Sequence, residues 1–251
     1  MPDKIPPAQK APHVERVPRL EKVQRLRLTF TRDDAARYIT HLDVMRMWER
    51  VLKRVALPVA YSEGFSPRPK IALAAPLAVG MTSQCELLEI TTVERVPLRQ
   101  VLDDIPAQLP IGFRLLDAQE VSLALPSLQS MLRAASYEVD VPDDRDAQVW
   151  TGAIDALLAR ETVPWQHMRG DELREYDLRP LVLGASLARA VDGTATVLME
   201  LRNDSNGSGR PEQLTRALGA EAEPTRLLRT HLRLEEPQIA REAYRAAKRP
   251  D

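Results

Sequence analysis

Residues 25–90 read RLRLTFTRDDAARYITHLDVMRMWERVLKRVALPVAYSEGFSPRPKIALAAPLAVGMTSQCELLEI, and the order of elements in this stretch decides the fold. From Gln24 to Thr31, Leu26, Leu28 and Phe30 alternate with Arg25, Arg27 and Thr29, the period of a half-buried strand. Thr40 is a helix N-cap, with Asp43 three residues on in a near capping-box arrangement that also suits the positive end of the helix dipole. On a helical wheel Met45, Trp48, Val51, Leu52 and Val55 share one face, expected to be buried. Lys70 to Ala75 and Cys85 to Thr92 read as two further strands. Pro97 to Ile105 is a short helix with proline in its first turn, and Gly112 to Ser122 closes the series with a strand.

The order strand, helix, strand, strand, helix, strand then recurs. Ser130 to Val141 is a strand with Tyr137, Val139 and Val141 on one face, and Asp143 to Arg160 is a helix with acids in its first turn. Asp177 to Ala190 and Thr194 to Arg202 form a hairpin across Val191-Asp192-Gly193, where Asp-Gly is a strong turn signal. Pro211 to Leu218 is a helix and Leu227 to Leu234 the last strand. The expected class is α+β, two tandem ferredoxin-like (βαββαβ) units with antiparallel sheets. The expected organisation is a disordered Pro- and charge-rich arm over 1–23, one unit over 24–126, a second over 127–236, and a tail over 237–251. Glu161 to Tyr176 is an insertion, and Gln238 to Arg249 has the pattern of a short basic helix.

The chemistry concentrates in the first unit. Arg46, Arg50, Lys53 and Arg54 are spaced i, i+4, i+7, i+8, one stripe on the side of the helix opposite the apolar face, with Asp43 one turn before Arg46 as a partner. A solvated helix face is the ordinary meaning of such a stripe. The following segment, Tyr61-Ser62-Glu63-Gly64-Phe65-Ser66-Pro67-Arg68-Pro69-Lys70, gives it a second meaning. Gly64 opens backbone angles closed to other residues, and Pro67 and Pro69 hold Ser66 and Arg68 extended. Tyr61 and Phe65 are two of only eight Tyr and Phe residues. Aromatics beside Arg68 and Lys70 are suited to stacking bases and neutralising phosphates; otherwise Phe65 is a plug that anchors the loop. Residues 25–75 carry ten Lys and Arg against five Asp and Glu, inside a chain of net charge −1. That is a local cationic footprint rather than a bulk one. The candidate nucleic-acid contacts are thus Arg46, Arg50, Lys53, Arg54, Tyr61, Phe65, Arg68 and Lys70, supported by Thr40, Asp43, Ser62 and Gly64.

Cys85 is the sole cysteine. An internal disulfide and a Cys-rich zinc or iron–sulfur site are thereby excluded, and the chain fits a reducing cytoplasm. No metal and no cofactor is expected. No 18-residue apolar run is present and the N-terminus has no secretion-signal core, so no membrane association is expected.

Thr40-His41-Leu42-Asp43, the arginine-bearing helix, Tyr61 to Pro67, and Pro76-Leu77 with Gly80 together resemble the opening of a bacterial family of unknown function. Weaker echoes come at Asp177-Leu178-Arg179-Pro180 and Arg229-Thr230. That family is linked to B12-binding radical S-adenosylmethionine enzymes, either fused behind them or encoded beside them and near a ribonuclease. The resemblance implies a radical-enzyme partner and an RNA-related setting. The radical chemistry itself would belong to the partner, because its cluster needs three cysteines. Tandem ferredoxin-like proteins of bacterial immunity that bind and sometimes cut RNA are similar in architecture as well.

Three functions follow from these readings. The first is an RNA-binding accessory protein working with the radical enzyme or with RNA-processing machinery. The second is a metal-independent endoribonuclease using His41 as general acid or base on an RNA hydroxyl, although the wheel turns His41 towards the buried side, as a capping or packing histidine. The third is a structural docking partner of the radical enzyme that binds no nucleic acid. His13, His167 and His231 sit in no ligand spacing, and Asp43 and Glu63 more naturally form ion pairs than a carboxylate dyad. The loop Asn203 to Pro211 offers amides to a phosphate but lacks the lysine and spacing of a P-loop, and a hairpin-like connector is the simpler reading.

Overall fold

Leu26, Leu28 and Phe30 are fully buried on one side of β1 (Gln24–Arg32), as the alternation requires. The computed structural model describes residues 21–63 and 65–237. β1 is followed by α1 (His41–Arg54), β2 (Ile71–Leu73), β3 (Thr82–Thr92), α2 (Leu98–Asp104) and β4 (Phe113–Val121). β1 pairs antiparallel with both β3 and β4, and β2 antiparallel with β3, giving the order β4-β1-β3-β2. A short helix, α3 (Leu128–Met131), leads into β5 (Leu132–Pro142), then α4 (Ala147–Leu158), β6 (Pro164–Arg169), β7 (Glu172–Asp177), β8 (Val182–Val191), β9 (Thr194–Asp204), β10 (Gly207–Ser208), α5 (Pro211–Ala217) and β11 (Arg226–Leu234). Here the order is β11-β5-β9-β8, again antiparallel throughout. The start of β3 runs parallel to β11, with Leu228 opposite Thr82 and Arg229 opposite Ser83. That contact joins both halves into one nine-stranded sheet. The fold is mixed α+β, with a mostly antiparallel sheet and few helices.

Several expected boundaries move. Ser130 belongs to α3 rather than to a strand, because Ser127 caps a single turn there. Pro97 is the N-cap of α2, not its first residue. Asp143 to Asp146 precede α4: Asp146 accepts from the Val149 amide as N-cap, and Asp143 turns to Arg145. Residues 161–176 make β6 and most of β7, a separate two-stranded sheet. The Asp192-Gly193 turn is as expected, with φ of 53° and 68°, the left-handed pair that a two-residue hairpin demands. The basic helix expected over 238–249, the first twenty residues of the arm and Gly64 lie outside the described residues.

Two cores hold the sheet. In the first half, Val44, Met47, Trp48, Val51 and Leu52 of α1 pack on Leu26, Leu28, Phe30, Leu88 and Ile90, with the Phe30 and Trp48 rings edge to face at 5.0 Å. The buried stripe is centred nearer Val44 and Met47 than the wheel placed it. Met45 lies at its border and Val55 is the C-cap, so both are only half buried. The second core gathers Tyr137, Val139, Trp150, Ile154, Val197 and Met199, and reaches across to Ala74, Ala75, Leu77 and Met81 of the first half. At that seam Arg229, 1% exposed, donates to Glu86 Oε1 from Nε (3.0 Å) and Nη2 (2.5 Å) and reaches the Ala75 and Pro76 carbonyls.

Candidate nucleic-acid interface

α1 begins as its sequence requires. Thr40 Oγ1 accepts from the Asp43 amide (3.3 Å) and donates to the Asp43 carboxylate (2.7 Å), which also takes Arg46 at 3.3 Å. The Thr40 hydroxyl, helped by Arg46, holds the Asp43 carboxyl below its usual range. The remaining cations of the stripe differ from Arg46. Arg50, Lys53 and Arg54 are exposed, and none has a carboxylate within 4 Å among the described residues. Arg50 is felt by the Asp43 carboxylate at a distance, but none of the three is held in an ion pair among the described residues, and solvent screens the face.

The helix stops at Ala56, whose φ is 51°. Leu57 donates back to the Leu52 carbonyl, Val59 bridges to Thr92, and the Ala60 amide donates to Thr91 O at 2.7 Å. The last turn of α1 thus ends beside the last residues of β3. From that point a hairpin leaves the sheet edge. Lys70 N donates to Ala60 O, Tyr61 bridges to Pro69, Ser62 N donates to Arg68 O, and Arg68 N donates back to Ser62 Oγ at 2.9 Å. Ser62 is accordingly the fastener of the hairpin. Tyr61 is 57% exposed and Phe65 fully so, which overturns the anchoring role for Phe65. Arg68 is exposed and has no carboxylate partner among the described residues, and Lys70 is half buried in a cleft beside β2. The segment that follows α1 and the base of the 61–69 hairpin therefore lie beside the same end of β3. Arg46, eight residues before Arg54, sits about 12 Å back along the helix axis.

His41 is part of a different environment. It lines a cavity of about 10 Å³ with Arg32, Glu86, Phe30, Val44, Leu73, Ala75 and Leu77. That is room for one water and not for a ribose. Thr40, not His41, is the cap. Arg32 beside it is buried and donates to the Ala36 and Arg37 carbonyls and to that of Ile39. Burial, reinforced by Glu86, raises the Cys85 thiol to about 11, so it carries little thiolate at neutral pH. The pair Glu86–Arg229 has no local sequence signal, since its partners are 143 residues apart. Other motif residues prove structural. Asp177 accepts from the Val163 and Arg179 amides, and Arg179 donates to the Leu158, Arg160 and Val182 carbonyls. Gly80, at φ 91°, donates to Arg37 O. His167 stands edge-on to Tyr176 and His231 is exposed on β11. In the 203–211 loop the Asn206 and Gly209 amides are already engaged by Asp204 and Arg202. Among the described residues no group of three or more His, Cys, Asp or Glu is placed to hold a metal ion, and no helix is long and apolar enough to cross a membrane.

Two solved structures are similar in shape. A chain of "Crystal Structure of a Cbf5-Nop10-Gar1 Complex" aligns at TM-score 0.47 and 9% identity, over 82% of this chain and 48% of that one. A chain of "Structure of H/ACA RNP bound to a substrate RNA containing 2'-deoxyuridine" aligns at 0.42 and 10%, over 81% and 47%. The chain spans about half the length of each. No curated protein matches the sequence. A family model does match, over residues 25–211, which take in the helix, the hairpin and most of both halves. The chain belongs to the family described as "Uncharacterized protein conserved in bacteria (DUF2344)".

Proposed function

We propose that this chain is an RNA-binding accessory protein whose contact surface is the outer face of α1 together with the 61–69 hairpin. One observation carries the reading. Arg50, Lys53, Arg54 and Arg68 lack carboxylate partners among the described residues, and the last turn of α1 meets the base of a hairpin that presents Tyr61 and Phe65 to solvent. Unpaired cations supply sequence-independent attraction to phosphates, and exposed aromatic faces supply stacking to unpaired bases. The repeated strand order supports reading the two halves, 24–126 and 127–236, as a ferredoxin-like duplication. Partnership with a radical S-adenosylmethionine enzyme, in a reducing cytoplasm, rests on the sequence resemblance and on the sole cysteine remaining a thiol. The cavity that His41 lines has room for one water and gives the cleavage reading no support.

Filter binding of the purified protein to single-stranded RNA at 50 and 200 mM salt tests the proposal. Binding that falls steeply with salt, and is lost when Arg50, Lys53 and Arg54 become Gln, supports it. No retention of RNA at the lower salt removes it. Nuclease-resistant co-purification of the radical enzyme without RNA affinity would favour the docking role instead.

A further inference from the structure

β6 and β7 stand apart from the nine-stranded sheet as a hairpin of their own. Trp165 lies opposite Tyr176, His167 opposite Arg174, Met168 opposite Leu173 and Arg169 opposite Glu172, across the two-residue turn Gly170-Asp171. One face is anchored. Trp165 and Tyr176 pack on the second core, the Tyr176 hydroxyl donates to Gln213 Oε1 at 2.6 Å, and the His167 ring stands 5.6 Å from that of Tyr176. The other face is bare. Met168 is 60% and Leu173 52% exposed, side by side, with Gln166 donating to Glu175 next to them. Both edges of the hairpin are unpaired among the described residues. In a hairpin closed by a two-residue turn the flanking pair, here Arg169 and Glu172, is hydrogen-bonded, so Glu172, Arg174 and Tyr176 turn their backbone groups to β6. Leu173 and Glu175 turn theirs outward. The β6 edge opens with Pro164, which has no amide hydrogen to offer. The β7 edge is therefore the more complete template for another strand, and two strands alone make a marginal sheet.

A second copy of this chain fits that edge. Two-fold pairing of β7 with itself runs antiparallel and closes the assembly at two chains. A centre at Glu172, Arg174 or Glu175 sets two like charges against each other on the axis, which is destabilising. A centre at Leu173 sets leucine against leucine, both with outward backbone groups, and places Glu172 of each copy opposite Arg174 of the other. Leu173 and Met168 of the two copies then form one apolar row across the joined hairpins. Within one chain Arg174 and Glu172 pair at 2.8 Å and are exposed, so in the dimer each pair meets its copy with opposite charges facing. Asp171 and Glu175 also come opposite each other, but Asp171 is in the turn and Glu175 is held by Gln166. We propose that this chain forms a two-fold dimer through β7, centred on Leu173, with the two hairpins joined into one four-stranded sheet. One strand pair and one short apolar row are little surface for a dimer, so the association is weak and reversible. It does not rest on the RNA reading.

Sedimentation equilibrium of the full chain, from low to high micromolar concentration, tests the proposal. A reversible monomer–dimer equilibrium is expected. Leu173→Lys, at an exposed position, puts two ammonium groups on the axis and raises the dimer Kd about tenfold or more, with the melting temperature unchanged. Glu172→Lys and Arg174→Glu each set like charges opposite each other and weaken the dimer in the same direction. An equimolar mixture of these two variants faces opposite charges again and dimerises, a restoration that damage to the fold cannot produce. A native chain that stays monomeric at the highest concentration overturns the proposal and leaves the edge to a strand of another protein. A dimer that survives Leu173→Lys uses a different surface, and charge variants that mixing does not restore pair in a different register; either result overturns it as well.

Discussion

α1 and α4 hold equivalent places, each following the first strand of its half, yet their outer faces differ in kind. α1 exposes Arg46, Arg50, Lys53 and Arg54 against Asp43 and Glu49. α4 exposes Gln148, Val149, Thr151, Asp155 and Ala156, and carries no cation along its length. Both bury a tryptophan completely, Trp48 and Trp150. Packing a helix onto this kind of sheet therefore requires the inner stripe and leaves the outer one undetermined. The second half also has exposed arginines, but no stripe of them on its first helix: Arg160 and Arg210 stand singly outside the strands without a carboxylate partner among the described residues, and those on the strands are paired. Arg226 meets Glu138 at 2.6 Å, Arg233 meets Glu200 at 2.9 Å, and Arg189 approaches Asp140 at 3.9 Å. The α1 stripe is not explained by folding, and the gathering of unpaired cations on one helix face, rather than the lack of a partner alone, is what sets it apart from α4.

The contrast has meaning only if both halves share one folded unit, and the seam decides that. Arg229→Met leaves Glu86 buried without its partner. The expected loss is about 3–5 kcal/mol, read as a lower urea midpoint in a single cooperative transition. Replacing both partners, Arg229→Met with Glu86→Leu, is expected to recover most of it. Two resolved transitions in the native protein would instead separate the halves, and the comparison would then join unrelated pieces.

The next effect falls on binding. Removing three cations from α1, which α4 lacks, by Arg50, Lys53 and Arg54 to Gln, is expected to lower RNA affinity about 10- to 100-fold at low salt. It should also flatten the logarithmic salt slope by about 2, near 0.7 for each lost single-strand phosphate contact. Stability should shift by no more than about 0.5 kcal/mol, because the face is solvated. An unchanged slope would show that the stripe is an idle solvated face after all. Phe65→Ala is expected to cost a comparable amount, about 1–3 kcal/mol of binding where a base stacks there, with the salt slope unchanged and the melting temperature unmoved since the ring is fully exposed. A fall in melting temperature would return Phe65 to an anchoring role.

How much of this was legible follows from the range of each interaction. Thr40 and Asp43 announced the start of α1, and Asp192-Gly193 announced the β8–β9 turn, because caps and two-residue turns are decided within four residues. The strand order was legible from periodicity, since one face of each strand is apolar. The exact buried stripe of α1 was not, because Val44 and Met47 owe their burial to the facing β1 and β3 residues. The pairing of β11 with β3, the Arg229–Glu86 contact and the Arg25–Glu89–Arg27 group are invisible to any local window. They join residues 62 to 146 positions apart. Whether a cation is paired is likewise a property of the fold, so the stripe could be located in the sequence but not distinguished from an ordinary helix surface.

The smallest effect probes how the two helices are begun. Asp143 accepts from the Arg145 amide at 2.9 Å and from its guanidinium Nε at 2.9 and 3.0 Å. Arg145 in turn lies 4.2 Å over the Trp150 ring and donates to Leu218 O at 3.0 Å. This clamp ties the start of α4 to the end of α5. The Arg145 guanidinium holds the Asp143 carboxyl below its usual range. A carboxyl lowered by folding contributes stability that is complete above its unfolded value, about 4. That contribution is lost as pH falls through the folded value. Asp143→Asn should therefore melt below the native protein at pH 7, with the gap closing as pH drops below about 4. Asp43 is also lowered, by Thr40 and then Arg46, but it stands in open water, so Asp43→Asn should show a smaller gap. A gap for Asp143→Asn that is constant from pH 7 to pH 3 would mean that the clamp acts through shape and not through charge. The two helix starts would then differ only in packing.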